Sequence, residues 1–179
     1  MTVREVVFVP DPVLRKKART VAKFDEKLQT LIDDMVETMR QAPGVGLAAP
    51  QVGELQRVIV VEYFENEEEA EREVAEGEDA VEAPKRLYTI VNPEITRKST
   101  DVVAGTEGCL SVPGYNGEVE RHLAVTVKGQ NRYGQPVTLR LKDWTARIFQ
   151  HEIDHLNGVL FTDRASRIWK PEGPVVDEV

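Results

Sequence analysis

Five consecutive residues, His151-Glu152-Ile153-Asp154-His155, carry the strongest chemical signal in the chain. On a helix, side chains four residues apart leave the same face about one turn apart. Two imidazoles so placed can bind one metal ion, and Glu152 beside the first can reach a water on that ion as its general base. Only three histidines occur, and two of them form this pair. Two imidazoles do not complete a catalytic metal site, which takes three protein ligands and keeps one position open. No histidine follows His155, and the downstream carboxylates are Asp163, Glu172, Asp177 and Glu178. Asp163 is near enough in sequence to swing back. Cys109 is the stronger candidate: it is the only cysteine, in Glu107-Gly108-Cys109-Leu110-Ser111, where Gly108 permits close backbone approach. A lone cysteine also serves as a small buried hydrophobe, so residue types alone leave the third ligand open.

A second segment, Gly44-Val45-Gly46-Leu47-Ala48-Ala49-Pro50-Gln51, is rich in glycine and small residues. No Lys-Ser/Thr follows it, which excludes a phosphate-binding P-loop. It reads as a tight turn with backbone packed on backbone, or as a wall for a peptide backbone. In the second case Gln51 offers an amide N–H to an oxyanion.

These residues need elements to position them. Val3 to Val9 predicts a strand ended by Pro10-Asp11-Pro12. Asp25 predicts the cap of a helix running to about Arg40, with Leu28, Leu31, Ile32, Met35 and Met39 on one face. Arg57 to Val61 and Leu87 to Val91 predict strands, the latter ending at Asn92-Pro93, and Asp101 to Leu110 is extended. Leu123 to Val127 and Val137 to Leu141 predict a hairpin around Asn131-Arg132-Tyr133-Gly134. Asp143 predicts the cap of a last helix, Trp144 to about Leu156, stopped by Asn157-Gly158. The order predicts an α+β fold: mostly antiparallel curved β-sheets wrapped around the central HExxH helix, with one early N-terminal helix.

Of 179 residues, 41% are apolar and 30% charged, as in soluble globular chains. One catalytic domain is expected over residues 1–164, with an acidic insert at about 62–86 and a patternless tail at 165–179. No apolar run approaches the roughly 18 residues that span a bilayer, so no membrane partner is expected. No secretory pattern opens the chain, and one cysteine excludes an intrachain disulfide, so a reducing, cytoplasmic compartment is expected. The net charge of -8 speaks against sequence-specific nucleic-acid binding. That charge is uneven: Glu62 to Glu82 holds eleven acids and one base, so this run carries -10 and the rest +2. Like charges repel, which predicts a loop or a solvated helix there.

Taken together, in this order and at this spacing, the three motifs resemble those of the peptide deformylases, GxGLAAxQ, EGCLS and HExDH. They match at every position, and the likeness runs from about Asp11 to Phe161. It implies Cys109, His151 and His155 as metal ligands and Glu152 as general base and acid. It further implies Gln51 and the backbone N–H of Leu110 as the oxyanion hole, and Gly46 as a contact for substrate main chain. Fe(II) is the implied native metal, with Zn, Ni or Co as substitutes. The implied reaction removes the N-formyl group from N-formylmethionyl nascent peptides, releasing formate, with transient ribosome association. Val45 and Ile148, beside the glycine motif and one turn before His151, are the candidates for a methionine pocket. Two rivals remain at this stage: a zinc endopeptidase using Asp163, and a non-catalytic metal-stabilised module.

Overall fold

The apolar period after Asp25 closes into helix α1, Glu26–Gln41, in the computed structural model, which describes residues 1–64 and 85–171. The Asp25 carboxylate accepts from the Leu28 N–H, filling one of the orphan donors of the first turn. The predicted face, Leu28, Leu31, Ile32, Met35 and Met39, is buried against Leu47, Val58 and Val60. The expectations for the acidic run from residue 65 to 84 lie outside the described residues. Its first acid, Glu62, belongs to a strand, and its carboxylate takes two hydrogen bonds from Arg40.

Two antiparallel sheets make up the rest of the frame. The first joins β1 (Gly46–Ala48), β2 (Val58–Phe64), β3 (Lys85–Lys98), β6 (Ala124–Gln130) and β7 (Pro136–Lys142), in the order β1-β2-β3-β6-β7. The second joins β4 (Val102–Glu107), β5 (Asn116–His122) and β8 (Arg167–Trp169). Between them runs α2, Asp143–Leu156, followed by the short helix α3, Phe161–Arg164. One flank of α2 packs Ile148, Phe149 and Ile153 on Ile59, Ile90 and Val127. Every residue from Ala146 to Leu156 is buried. A helix enclosed on all sides must find partners for each polar side chain it carries, because an unpaired buried polar group is costly.

Four local expectations are corrected. Val3 to Val9 is extended but not a strand. Its neighbours are α1, a 3-10 turn and the cysteine loop rather than another strand, so its backbone donors find isolated acceptors, Arg4 N–H on Thr38 Oγ1, Val7 N–H on Gln51 O and Val9 N–H on Ser111 O. β3 does not end at Asn92-Pro93: it passes through a bulge there, with Asn92 at φ 53 and its side chain bonded to Val21 and Gln130. A bulge is where a strand tolerates a residue without an N–H. Asp143 does not cap α2. It is the first helical residue, at φ 56, and Lys142 takes the cap position. The tail expected to be patternless supplies β8, which pairs Trp169 with Asn116; three residues are too few for a period to be read.

The end of α2 is fixed as expected by Asn157 and Gly158, the latter at φ 72, and Arg57 donates to the Leu156 carbonyl. A Cβ on Gly158 would lie 2.5 Å from the Arg15 carbonyl oxygen, whereas a Cβ on Gly53, at φ 82, meets nothing within 4 Å. Both positions suffer the left-handed penalty of about 1–2 kcal/mol on gaining a side chain. Gly158→Ala is therefore expected to destabilise the protein more than Gly53→Ala in urea unfolding. Equal losses would show that the Arg15 segment does not confine the helix end.

Candidate active site

Three buried donors converge between α2 and the loop after β4. His155 Nε2 lies 3.2 Å from His151 Nε2 and 3.4 Å from Cys109 Sγ, and the three ligand atoms fall within 4.8 Å of one another. The histidines meet because α2 places them one turn apart. The cysteine arrives because β4 delivers Glu107 and Cys109 to the same side of the helix. One thiol and two imidazoles at this spacing suit a single ion with metal–ligand bonds of about 2.0–2.3 Å. The donor set thus fits a divalent transition metal. Asp163, the other candidate for the third position, is committed elsewhere: it accepts from Arg15 and from the Leu160 N–H.

His151 Nδ1 lies 2.8 Å from Glu107 Oε1. A carboxylate can only accept, so Nδ1 carries the hydrogen and the Nε2 lone pair faces the other donors. Glu107 is fully buried and receives more: Arg121 donates through Nε and Nη2, and Arg147 through Nη1. Burial alone pushes a carboxyl upward. Here the Arg121 and His151 hydrogen bonds outweigh it and hold Glu107 well below the usual carboxylate range. Arg121 also donates to Asp154 Oδ2 at 2.6 Å, and Arg164 grips the same carboxylate. Asp154 is 9% exposed and Arg121 4%, so this is a buried pair. Gly105 leaves the room that Arg147 occupies, since a Cβ there would be 2.7 Å from the guanidinium carbon.

Glu152 is fully buried, and neither carboxylate oxygen has a hydrogen-bond partner among the described residues. Burial, with the negative Glu107 nearby, pushes its carboxyl well above the usual range. A Cβ on Gly46 would lie 2.6 Å from Glu152 Oε1, so the second glycine of the motif makes space for that carboxylate. His155 is held well below the usual imidazole range by burial and by His151, which keeps it neutral, as a ligand must be.

Gln51 is locked in the 3-10 turn Ala49–Val52: its side-chain oxygen accepts from the Ala48 N–H, and its NH2 points to Ser111 Oγ and Cys109 Sγ. Leu110 follows Cys109, and its side chain covers Gly44. Ile148 is completely buried, and Val45 packs half-buried against the same cluster. Sequence reasoning missed Glu107 and Arg147. The available signal for Glu107 was its place two residues before the cysteine; Arg147, one turn before His151 on a buried helix, gave none beyond its charge.

A family model described as polypeptide deformylase matches residues 3–170. A peptide deformylase of Desulforudis audaxviator is 45% identical over 170 residues, covering 95% of this chain and 98% of that protein. One of Alkaliphilus metalliredigens is 48% identical over 164 residues, covering 92% and 97%. The crystal structure of a Thermotoga maritima peptide deformylase superposes with a TM-score of 0.78 at 41% identity, covering 93% of this chain and all of that one.

Two expectations come from this geometry. Glu107→Gln removes the acceptor that aims His151 and is expected to weaken metal binding about 10–100-fold in a chelator competition. An unchanged affinity would free His151 from dependence on Glu107. Asp154→Asn and Arg121→Met should each cost about 3–5 kcal/mol of stability, and the double variant less than their sum. Strictly additive losses in that cycle would break the pairing.

Proposed function

The chain belongs to the polypeptide deformylase family, and from that premise we propose how its residues remove the N-formyl group from the formylmethionine end of nascent polypeptides. A divalent metal held by Cys109, His151 and His155 supplies, when bound, Lewis acidity toward water and toward a carbonyl oxygen. A thiolate with two imidazoles is compatible with Fe(II), which we propose as the native ion, with Zn, Ni or Co as substitutes.

Glu152 is the general base: it takes a proton from the attacking water and returns it to the departing amine. The reaction breaks the formyl C–N bond, and formate and a free amino terminus leave. The support is the burial of Glu152, its lack of a competing partner among the described residues and the space that Gly46 leaves for it. Gln51 offers its side-chain N–H and Leu110 its backbone N–H to the developing oxyanion, where one donor is typically worth about 3 kcal/mol of barrier. Among the described residues β1 pairs only with β2, so the other edge of Gly46–Ala48 is available for substrate main chain to add as a strand. Val45 and Ile148 are the apolar residues proposed to meet the methionine side chain. The catalytic unit is taken as residues 1–164, with 165–179 as a tail that adds β8. A nascent-chain substrate places the reaction in the cytoplasm, with transient contact to the ribosome. Among the described residues no helix is long and apolar enough to cross a membrane.

The convergence of Cys109, His151 and His155 beside Glu152 carries this reading. Formate release from formyl-Met-Ala-Ser, by protein purified anaerobically with Fe(II), tests it. Glu152→Gln should keep its metal by elemental analysis and lose roughly 10²–10⁴-fold in turnover. Gly46→Ala, which drives a methyl into the Glu152 carboxylate, should also keep the metal and lose turnover. Activity of Glu152→Gln within about tenfold of the parent would remove it from the role of base.

A further inference from the structure

The arginines and lysines of the described residues fall into two groups. Many arginines hold a carboxylate, Arg40 on Glu62 and Arg132 on Asp33 among them. Arg97, Lys128 and Arg140 hold none among the described residues, and they lie together. Strand register sets Arg97, Thr126 and Arg140 in a row across β3, β6 and β7, with Lys128 and Thr138 in a second row. Val125, Val127 and Leu141, which alternate with these residues, face α2. The cationic rows therefore occupy the outer face of the sheet.

One depression lies on this face and two more open at its margins, and Arg97 borders all three. One, of about 610 Å³, lies over Thr126, Lys128, Thr138 and Arg140. A second, of about 350 Å³, lies at Lys98 and Arg140. The third, of about 320 Å³, turns around the edge that β3 presents beyond its pairing with β2, where Arg164 lies bonded to Asp154. The acids of the tract are Glu94, opposite Lys128, and Glu120 and Asp154 in the third depression. Asp154 is already neutralised by Arg121 and Arg164.

We propose that this outer face of β3, β6 and β7 is a docking surface for the phosphate backbone of RNA. A small anion would engage one or two of these cations, whereas the rows span two strand spacings, roughly 10 Å, and continue around an edge. Threonine hydroxyls between the cations suit phosphate oxygens. Among the described residues no Phe, Tyr or Trp lines the tract for bases to stack on, and its one aromatic ring, His122, is tied through Nδ1 to the Ser99 carbonyl, so recognition is of backbone and not of sequence. Ile95 is the single exposed large apolar side chain lining it, too little to enter a lipid surface. The choice of RNA over another polyanion rests on the reading of the substrate as a nascent polypeptide, which is made on an RNA-rich machine. The overall charge of -8 conceals the surface because the acidic run supplies the excess.

The test uses the full metal-loaded chain and a fluorescein-labelled RNA duplex, followed by anisotropy across salt. Binding should weaken about 10- to 100-fold between about 50 and 200 mM salt. The triple variant Arg97→Gln, Lys128→Gln, Arg140→Gln should bind at least about tenfold more weakly, with a salt slope shallower by about 2, because each phosphate contact contributes roughly 0.7–0.9. Its formate release from formyl-Met-Ala-Ser and its metal content should equal those of the parent, which shows that the variant is folded. Parent protein that ignores RNA at low salt, or a triple variant that binds RNA as tightly as the parent, overturns the proposal. So does equal affinity for poly-glutamate or for phosphatidylglycerol vesicles. A parent that binds RNA but releases no formate overturns the proposed reaction and not the binding surface.

Discussion

The structure turns on one buried carboxylate. Glu107 takes a hydrogen bond from His151 and charge-assisted bonds from Arg121 and Arg147, all out of water. Desolvating a carboxylate costs several kcal/mol unless every lone pair is used, and here two guanidinium groups and an imidazole use them. The same bonds tie three elements to one another: β4 through Glu107, β5 through Arg121 and α2 through Arg147 and His151. Because Cys109 lies two residues beyond Glu107, whatever holds Glu107 also places the thiol against the imidazoles. The position of the helix and the position of the metal donors are thus one constraint.

Around that carboxylate, missing side chains matter as much as those present. Gly46 and Gly105 lie where a Cβ would collide with Glu152 and Arg147. Each lets a charged or ionisable group sit deeper than packing would otherwise allow. Glu152 in particular has no hydrogen-bond partner among the described residues and no water-facing surface, an arrangement that raises its hold on a proton. Leaving a buried polar group unpaired is unfavourable for folding and suits a group that must exchange a proton with substrate. The frame that tolerates it is the enclosed α2, packed by apolar residues on one flank and by the Glu107 network on the other.

Charge is partitioned over the rest of the molecule. The acidic run in the sequence accounts for the net negative charge, while the outer face of β3, β6 and β7 collects cations without carboxylate partners among the described residues. The groups proposed to be catalytic lie on the inner side of that sheet, on α2 and the loop after β4. The sheet and the apolar flank of α2 lie between the two, so an interaction at the outer face would leave the proposed substrate edge at β1 uncovered.

Much of this was legible in the chain. The period of α1, the hairpin of β6 and β7, and the pairing of His151 with His155 are local, and 3.6- and 2-residue repeats report them directly. Three separated motifs shared with one family identified Cys109 as the companion of the histidines before any fold was available. What remained hidden is non-local. Glu107 is a carboxylate like many others until β4, β5 and α2 bring Arg121, Arg147 and His151 to it. Gly46 looks like a turn residue until Glu152 lies against it. Val3 to Val9 has the composition of a strand, but its neighbours offer only isolated hydrogen-bond partners. Asp143 has the side chain of a cap, but β7 runs directly into α2 and leaves the cap to Lys142. Residue type and spacing determined which chemistry was possible. Only the tertiary packing decided which charges meet, because the stabilisation of a buried ion depends on partners contributed by distant strands.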